Sequence, residues 1–521
     1  MDIHRIQDSV NIEMLAEHIG IVTNAGVVAL KEKTETWVSD PKKLKQRSHE
    51  FATLQASLAT NSNLEKQLLK EFGSLKQLQS GLDALVETAS ELETEAFNEL
   101  LFLKSWTQPF NFMPFVLVFW SILRVYIFPG MAMLMPLMML ILPFIIVRII
   151  LGVPITLGRY TLLLSALFSG NLTSILDPNF INSEDTQVKS KAPTFDIFQL
   201  FKGGLLAATV AQSFLQPYWT YQHLSSIDAI IQQKAAALAE FKAIYERIRE
   251  ALKATGYTLS PCPFATDITD PRQLVAAAHL HPVFLKTARR RVGALEALVC
   301  LARQKDLTPV HWLPDRDRSS TIELQDAYDY RVDKSSRVTF DLTMNKGSHH
   351  ALLTGPNRGG KSTTLRGILT CMLLAHTYGC ATAAYASITP FQSVYVCLTP
   401  EDLPGKKSRF EREIEFTAAT LRVPETQRSL VLLDELYHST NPPDASKACE
   451  IYTEQLWKRP NIVSIISTHL FDFVEGAPAT IQRLCCPATV KGDAIHYTYR
   501  LGTGVCRVSS VQELLVENGL I

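Results

Sequence analysis

Lys361 and Ser362 follow Gly355 and Gly360 in the run ALLTGPNRGGKSTTLRGIL, a GxxxxGK[ST] spacing between a short apolar strand and a helix that starts near Lys361. That spacing suits a polyphosphate. A loop of this kind turns backbone N–H groups toward the α- and β-phosphates of a nucleotide, Lys361 neutralises the β/γ oxygens, and the Ser362 hydroxyl offers a Mg2+ ligand. The expected phosphate-binding set is Gly355, Asn357, Gly359, Gly360, Lys361, Ser362 and Thr363, with ATP and Mg2+ as ligands. Seventy-three positions after Lys361, SLVLLDELYHST reads as an apolar strand ending in Asp434 and Glu435. Asp434 is placed to hold Mg2+ with Ser362, and Glu435 to polarise the attacking water. A third apolar run, IVSIISTHLFDF, ends at Thr468 and His469, where an imidazole can sense or position the γ-phosphate end. Glu435 and His469 are therefore the candidate catalytic residues.

The elements that position these residues begin near Arg337. Short strand candidates (VTFDL, HALLTG, SVYVCLT, SLVLLDE, IVSIIST) alternate there with helical stretches, the pattern of an α/β nucleotide domain over residues 337–521. Upstream the periodicity is helical. Leu64, Leu68, Phe72, Leu75, Leu78, Leu82, Leu85 and Leu92 recur at three- or four-residue steps, interrupted by Gly73 and Gly81, as one long amphipathic helix or two in tandem. Ile231, Leu238, Tyr245 and Leu252 mark one heptad position of a second helix, and Ile227, Phe241 and Ile248 another. These flanks predict a helical pair, residues 1–105 and 221–336, around a hydrophobic region at 106–220.

That region has a distinctive composition. No acidic residue lies between Glu99 and Asp177, and Arg124 and Arg148 are the only charged side chains from Phe110 to Leu151. As helix this stretch would extend roughly 63 Å, twice the roughly 30 Å of a bilayer's hydrocarbon. It predicts two crossings separated at Pro129 and Gly130, with a buried core hairpin as the soluble alternative. The weaker stretches near 155–170 and 200–219 cross, lie in the interface, or do neither. If the helical flanks pack together, the number of crossings between them is even.

Composition bounds the rest. At 521 residues the chain predicts three or four units. Its 51 Lys+Arg and 51 Asp+Glu give a formal net charge of +0, so any nucleic-acid or acidic-ligand binding must be local. The densest basic cluster, Lys286, Arg289, Arg290 and Arg291, is either a contact for phosphodiester or anionic lipid or a solvated helix face. Nine cysteines, all from Cys262 onward and without a CxxC, predict reduced thiols that hold no metal in a cytosol-facing protein. The acid-bearing first twenty residues are not expected to be a signal peptide.

TGPNRGGKST, the Asp434–Glu435 strand end and the His469 strand end together resemble the ATPase domain of the MutS family of DNA mismatch-repair proteins, a branch of the ABC-type ATPases. The segment SRFEREIEFTAATL resembles that family's Ser, Phe, Glu signature, with Ser408, Phe410 and Glu413 in it. The resemblance implies that Ser408 reaches the γ-phosphate bound by a partner subunit, hence a homodimer or a pair with a related subunit. SDPKKLKQRSHEFATLQ and LEALVCLARQKDLTPVHWLPD look like the family's helical lever domain, which a DNA-touching clamp interrupts. Here the hydrophobic block takes the clamp's place, and the family's mismatch-reading and connector domains are not expected. Phe97 with Glu99 only mimics the family's Phe-x-Glu wedge. After Glu435 the family's Gly-Arg-Gly-Thr turn is replaced by Leu436, Tyr437, His438, Ser439 and Thr440. Arg358 stands where the family commonly has Met, either to hold phosphate or to face solvent, and Arg337 falls where an aromatic stacks on adenine.

The expected architecture is multidomain: an α-helical lever domain with inserted transmembrane helices, and a C-terminal α/β ABC-type P-loop ATPase domain. The expected protein is membrane-bound, with lever and ATPase domains facing the cytosol and with ATP closing a dimer. Its partner is DNA, including mismatched DNA, or else lipid or a membrane protein that it remodels. A nucleotide-gated scaffold with little turnover is the third reading.

Overall fold

Apolar runs in the C-terminal third pair into a six-stranded sheet: β1 His350–Thr354, β2 Ser393–Cys397, β3 Ser429–Leu433, β4 Ile462–Ser467, β5 Gln482–Cys485 and β6 Gly502–Thr503. This is seen in a computed structural model that describes residues 3–86, 91–169, 197–253, 255–264, 268, 270–314, 320–398, 408–491 and 494–520. The strand order is β6-β5-β1-β4-β3-β2, parallel throughout except for β6, which runs antiparallel to β5. Every residue of β1, β3 and β4 is buried, which explains why these strands read as unbroken apolar runs rather than alternating ones. Ile466 of β4 pairs with Leu352 of β1 on one side and Leu433 of β3 on the other. That register aligns the carboxyl ends of the three strands, so the segments leaving those ends meet at one edge of the sheet.

Helix α1, Lys361–Tyr378, leaves that edge and is buried on all sides from Gly367 onward. A four-stranded sheet, in the order His311–Trp312, Tyr385–Ile388, Ile322–Ala327 and Phe340–Met344, forms further cover. At Gly367 a Cβ would lie 3.0 Å from the Phe340 ring and 3.1 Å from the Tyr328 carbonyl carbon, so glycine sets how closely this layer approaches α1. Ile322–Ala327 lies upstream of Arg337, and its mixture of exposed and buried positions did not stand out in the sequence.

The chain divides into two units. The first joins Met1–Gln79, Ala243–Pro263 and Lys286–Ile521. Within it the N-terminal helices grip the end of α1. Arg47 Nη1 donates to the His376 carbonyl at 2.7 Å, Trp312 Nε1 donates to Ser48 Oγ at 2.8 Å, and the Trp37 ring stacks on His376 at 4.1 Å. Helix Ser62–Val86 passes through Gly73 and Gly81 without a break, with Leu64, Leu68, Phe72, Leu75 and Leu82 buried. The side chains of Leu85 and Leu92 lie outside the described residues. Both heptad rows of helix Ile197–Lys253 are buried as expected. Glu71 accepts two bonds from Arg247, at 3.0 and 2.9 Å, a bidentate pair between the two helical flanks.

The second unit comprises Ser80–Lys242 and Phe264–Leu285. Phe97 is buried there, edge-on to His279, which suits a core residue rather than a wedge. Among the described residues one helix is long and apolar enough to cross a membrane, Pro114–Ile150, 37 residues. The break expected at Pro129 and Gly130 is absent. A π-helical turn, Leu123–Ile127, precedes Pro129 and shifts the bonding to i→i+5, and this local change of register accommodates the proline within the continuous helix. A second π turn, Ile146–Ile150, follows Pro143. Large apolar side chains stay exposed along this helix, among them Phe115 at 79% and Ile149 at 73%, so it is not the buried core hairpin considered as the alternative.

Candidate active site

The loop between β1 and α1 supplies the phosphate cradle. Gly360 caps α1 with φ 102°, and a Cβ on Gly359 would stand 2.9 Å from the Pro356 carbonyl oxygen. Both positions therefore require glycine, the first for its left-handed backbone and the second for space. Lys361 opens the helix and is buried. Its Nζ donates to the carbonyls of Gly355 at 3.0 Å and Pro356 at 3.2 Å, so the ammonium is held back against its own loop. Burial pulls its pKa below the ordinary lysine value, opposed by Glu435 and Asp434.

The ends of β3 and β4 complete the site. Asp434 accepts from Ser362 Oγ at 2.5 Å through one carboxylate oxygen and from Ser467 Oγ at 2.6 Å through the other. Ser467 is a site residue that sequence reasoning passed over, although it lies two positions before His469. Glu435 takes a left-handed backbone, φ 51°, immediately after the strand. His469 Nε2 lies 3.2 Å from Glu435 Oε1 and 3.3 Å from Lys361 Nζ. One nitrogen serves only one of these at a time: protonated, it donates to Glu435; unprotonated, it accepts from Lys361. The hydrogen bond from His469 is the largest cause holding the Glu435 carboxyl below the ordinary glutamate range.

A cavity of about 590 Å3 opens over this cluster, lined by the loop from Pro356 to Thr364 and by Glu435, Arg337, Asp329 and Tyr499. Asn357 and Thr363 face it with the glycines. Tyr499, at φ 54°, reaches the loop from just beyond strand Ala494–Tyr497 and carried no local signal in the sequence. Asp329 was equally unreadable. It is buried and paired with Arg366 at 3.1 Å and Arg331 at 3.6 Å. Arg337 lies over the Tyr328 ring at 3.9 Å and pairs with Asp306 at 2.9 Å. Arg358, at φ 63°, is exposed to solvent at the rim of the cavity and pairs there with Glu517 at 2.7 Å.

Ser408, Phe410 and Glu413 lie apart from this cavity, on helix α2, Arg409–Leu421. Ser408 caps the helix in a reciprocal box with Glu411, and residues 399–407 lie outside the described residues. Phe410 packs edge-on to Tyr437, and Glu413 accepts from Ser439 Oγ at 3.1 Å. Burial raises the pKa of Glu413. Tyr437, φ 58° and buried, bonds Thr417 of α2 at 2.6 Å between hydroxyls. Thr417 Oγ1 donates to its own helix, so Tyr437 is the donor.

A glycine loop between a buried parallel strand and a helix, a hydroxyl next to the lysine, and carboxylates at the end of β3, one strand removed from β1, define a P-loop nucleotide-binding α/β domain. Within this class, residues 351–514 match the family model of MutS domain V, the ATPase domain of MutS proteins. The match begins in β1 and takes in the loop, Asp434, Glu435, His469 and the α2 signature.

A hydroxyl and a carboxylate suit a hard divalent cation. Among the described residues no cluster of three or more His, Cys, Asp or Glu forms a metal cage. Ser362 and Asp434 fit Mg2+, which is commonly held by one or two protein oxygens together with substrate phosphates.

Proposed function

We propose that this protein binds and hydrolyses Mg2+-ATP at the β1–α1 loop and that it does so as a membrane-associated dimer. The observation that carries the ATPase reading is the convergence of Lys361, Ser362, Asp434, Glu435 and His469 within hydrogen-bonding distance at one sheet edge. Backbone N–H groups of the loop and the Lys361 ammonium bind the phosphates, and Ser362 and Asp434 hold the cation, which offsets charge on the phosphate oxygens. Glu435, kept ionised, accepts a proton from the attacking water. His469 orients Glu435 and reports on Lys361, because binding of phosphate draws the ammonium off the loop carbonyls and frees Nε2. Ser408 acts in the partner's site, and α2 presents it.

Pro114–Ile150 favours coupling to a membrane over coupling to DNA. Its exposed apolar surface supports burial in hydrocarbon. In the basic cluster, Arg290 pairs with Glu32 at 2.6 Å, which supports a solvated helix face rather than a phosphodiester contact. ATP turnover by full-length protein in vesicles, with and without mismatched duplex over a salt series, tests both parts. Turnover independent of DNA is expected, and salt-sensitive stimulation by duplex would restore the DNA reading.

A further inference from the structure

The second unit holds a cavity of about 700 Å3 between the apolar helix Pro114–Ile150 and the N-terminal half of helix Ile197–Lys253. One wall is apolar, with Phe128, Met135, Met139 and Leu140. On the other, the hydroxyls of Thr209, Ser213 and Thr220 are spent on carbonyls of their own helix at 2.8, 2.7 and 3.0 Å. The single charged lining residue is Arg124. It makes one long contact with Glu99, 3.5 Å, between side chains 36% and 37% exposed. Its Nε is buried without a hydrogen-bond partner among the described residues, and its guanidinium leans on Trp120 at 5.7 Å. Glu99 is the acid that faces Arg124, and among the described residues no other charged side chain lines the cavity.

We propose that this cavity binds an anionic phospholipid, with an acyl chain between the two helices and the phosphate at Arg124. The guanidinium is partly exposed and its one ion pair, with Glu99, is long, so a phosphate oxygen can engage it as a charge-assisted acceptor. The apolar wall calls for hydrocarbon. A free phosphate would satisfy only Arg124, and a neutral lipid only the wall. The inference rests on reading Pro114–Ile150 as a membrane helix.

The test reconstitutes full-length protein into phosphatidylcholine vesicles containing phosphatidylglycerol, re-extracts it in mild detergent, and measures retained lipid by mass spectrometry. Wild type is expected to retain phosphatidylglycerol in excess of its share of the vesicle. Arg124→Gln should lose that preference, and Ala132→Phe, which fills the cavity, should lose retained lipid of both kinds. ATP turnover at its wild-type value in both variants certifies the fold. Equal retention of the two lipids by integrated wild type, or an unchanged preference in Arg124→Gln, would overturn the lipid site and leave the membrane reading standing. Wild type released from vesicles by alkaline carbonate would overturn both.

Discussion

At the residue scale, the site turns on one imidazole nitrogen between an acid and an ammonium. His469 Nε2 is within 3.3 Å of both Glu435 and Lys361, and its bond to Glu435 depresses that carboxyl's pKa. His469→Ala removes the depressing partner, so the Glu435 pKa rises and the acid limb of kcat/KM moves to higher pH. Turnover should fall about 10²-fold, in the range of a lost general acid–base contact, with the KM for ATP little changed. A pH–rate profile superimposable on wild type would remove His469 from this role. Lys361 and Ser362 were legible in sequence from the GxxxxGK[ST] spacing, and Asp434, Glu435 and His469 because they follow apolar strands within two residues, whereas Ser467, inside its strand, was passed over. Tyr499 and Asp329 were not legible, because only tertiary folding brings them to the loop and neither carries a motif. Arg358 was ambiguous for a related reason: its partner, Glu517, lies 159 residues away.

At the scale of elements, the turn after Glu435 lacks the glycines that the resemblance to MutS proteins led to expect, and the structure shows what stands in their place. Tyr437 accepts a left-handed backbone and anchors it by a hydroxyl bond to Thr417 and by edge contact with Phe410, while Ser439 bonds Glu413. The turn that aims Glu435 is therefore tied to the helix that carries Ser408. Tyr437→Phe keeps the ring and loses the bond. It should cost about 1 kcal/mol of stability and lower kcat more than it changes KM, and an unchanged kcat would show that the tie does not position Glu435. Helix α1 and strand β1 also carry two buried neutral histidines, His350 and His376, each with its pKa pushed down to about 3. His376 accepts from the Phe391 N–H and its other nitrogen donates to the Met372 carbonyl, which fixes it as neutral. A base whose folded pKa lies below its unfolded value binds fewer protons folded than unfolded. Stability is therefore full above about pH 6.5 and falls as pH drops from there toward 3, by on the order of 2 kcal/mol per histidine at pH 5. Thermal melts at pH 7 and pH 5 should show the loss, and identical midpoints would contradict it. Sequence periodicity gave the long helices correctly. It misplaced the break at Pro129, because a π turn that absorbs a proline leaves no compositional trace.

At the scale of the whole molecule, the chain carries both a P-loop domain that matches MutS domain V and an exposed apolar helix. Converting Leu140 and Ile141 to Asp puts two carboxylates in that helix at roughly 3 kcal/mol each on insertion scales, and should shift the protein from the carbonate-resistant to the soluble fraction. Retention of the double variant on membranes would place the attachment elsewhere. Dimeric action has its own test. Mixing Lys361→Ala with Ser408→Ala protein should restore part of the turnover, since one composite site then has both intact halves, and dimers that form without complementing would argue for sites complete within one chain. The central claim, that the β1–α1 loop and the β3 end form a hydrolytic ATP site, is tested most directly by ATP binding and turnover of full-length protein in vesicles for wild type, Lys361→Ala and Glu435→Gln. Wild type should bind and turn over ATP, Lys361→Ala should lose binding, and Glu435→Gln should bind ATP while its turnover falls about 10²-fold or more. Equal turnover in wild type and Glu435→Gln, or undiminished binding in Lys361→Ala, would contradict it.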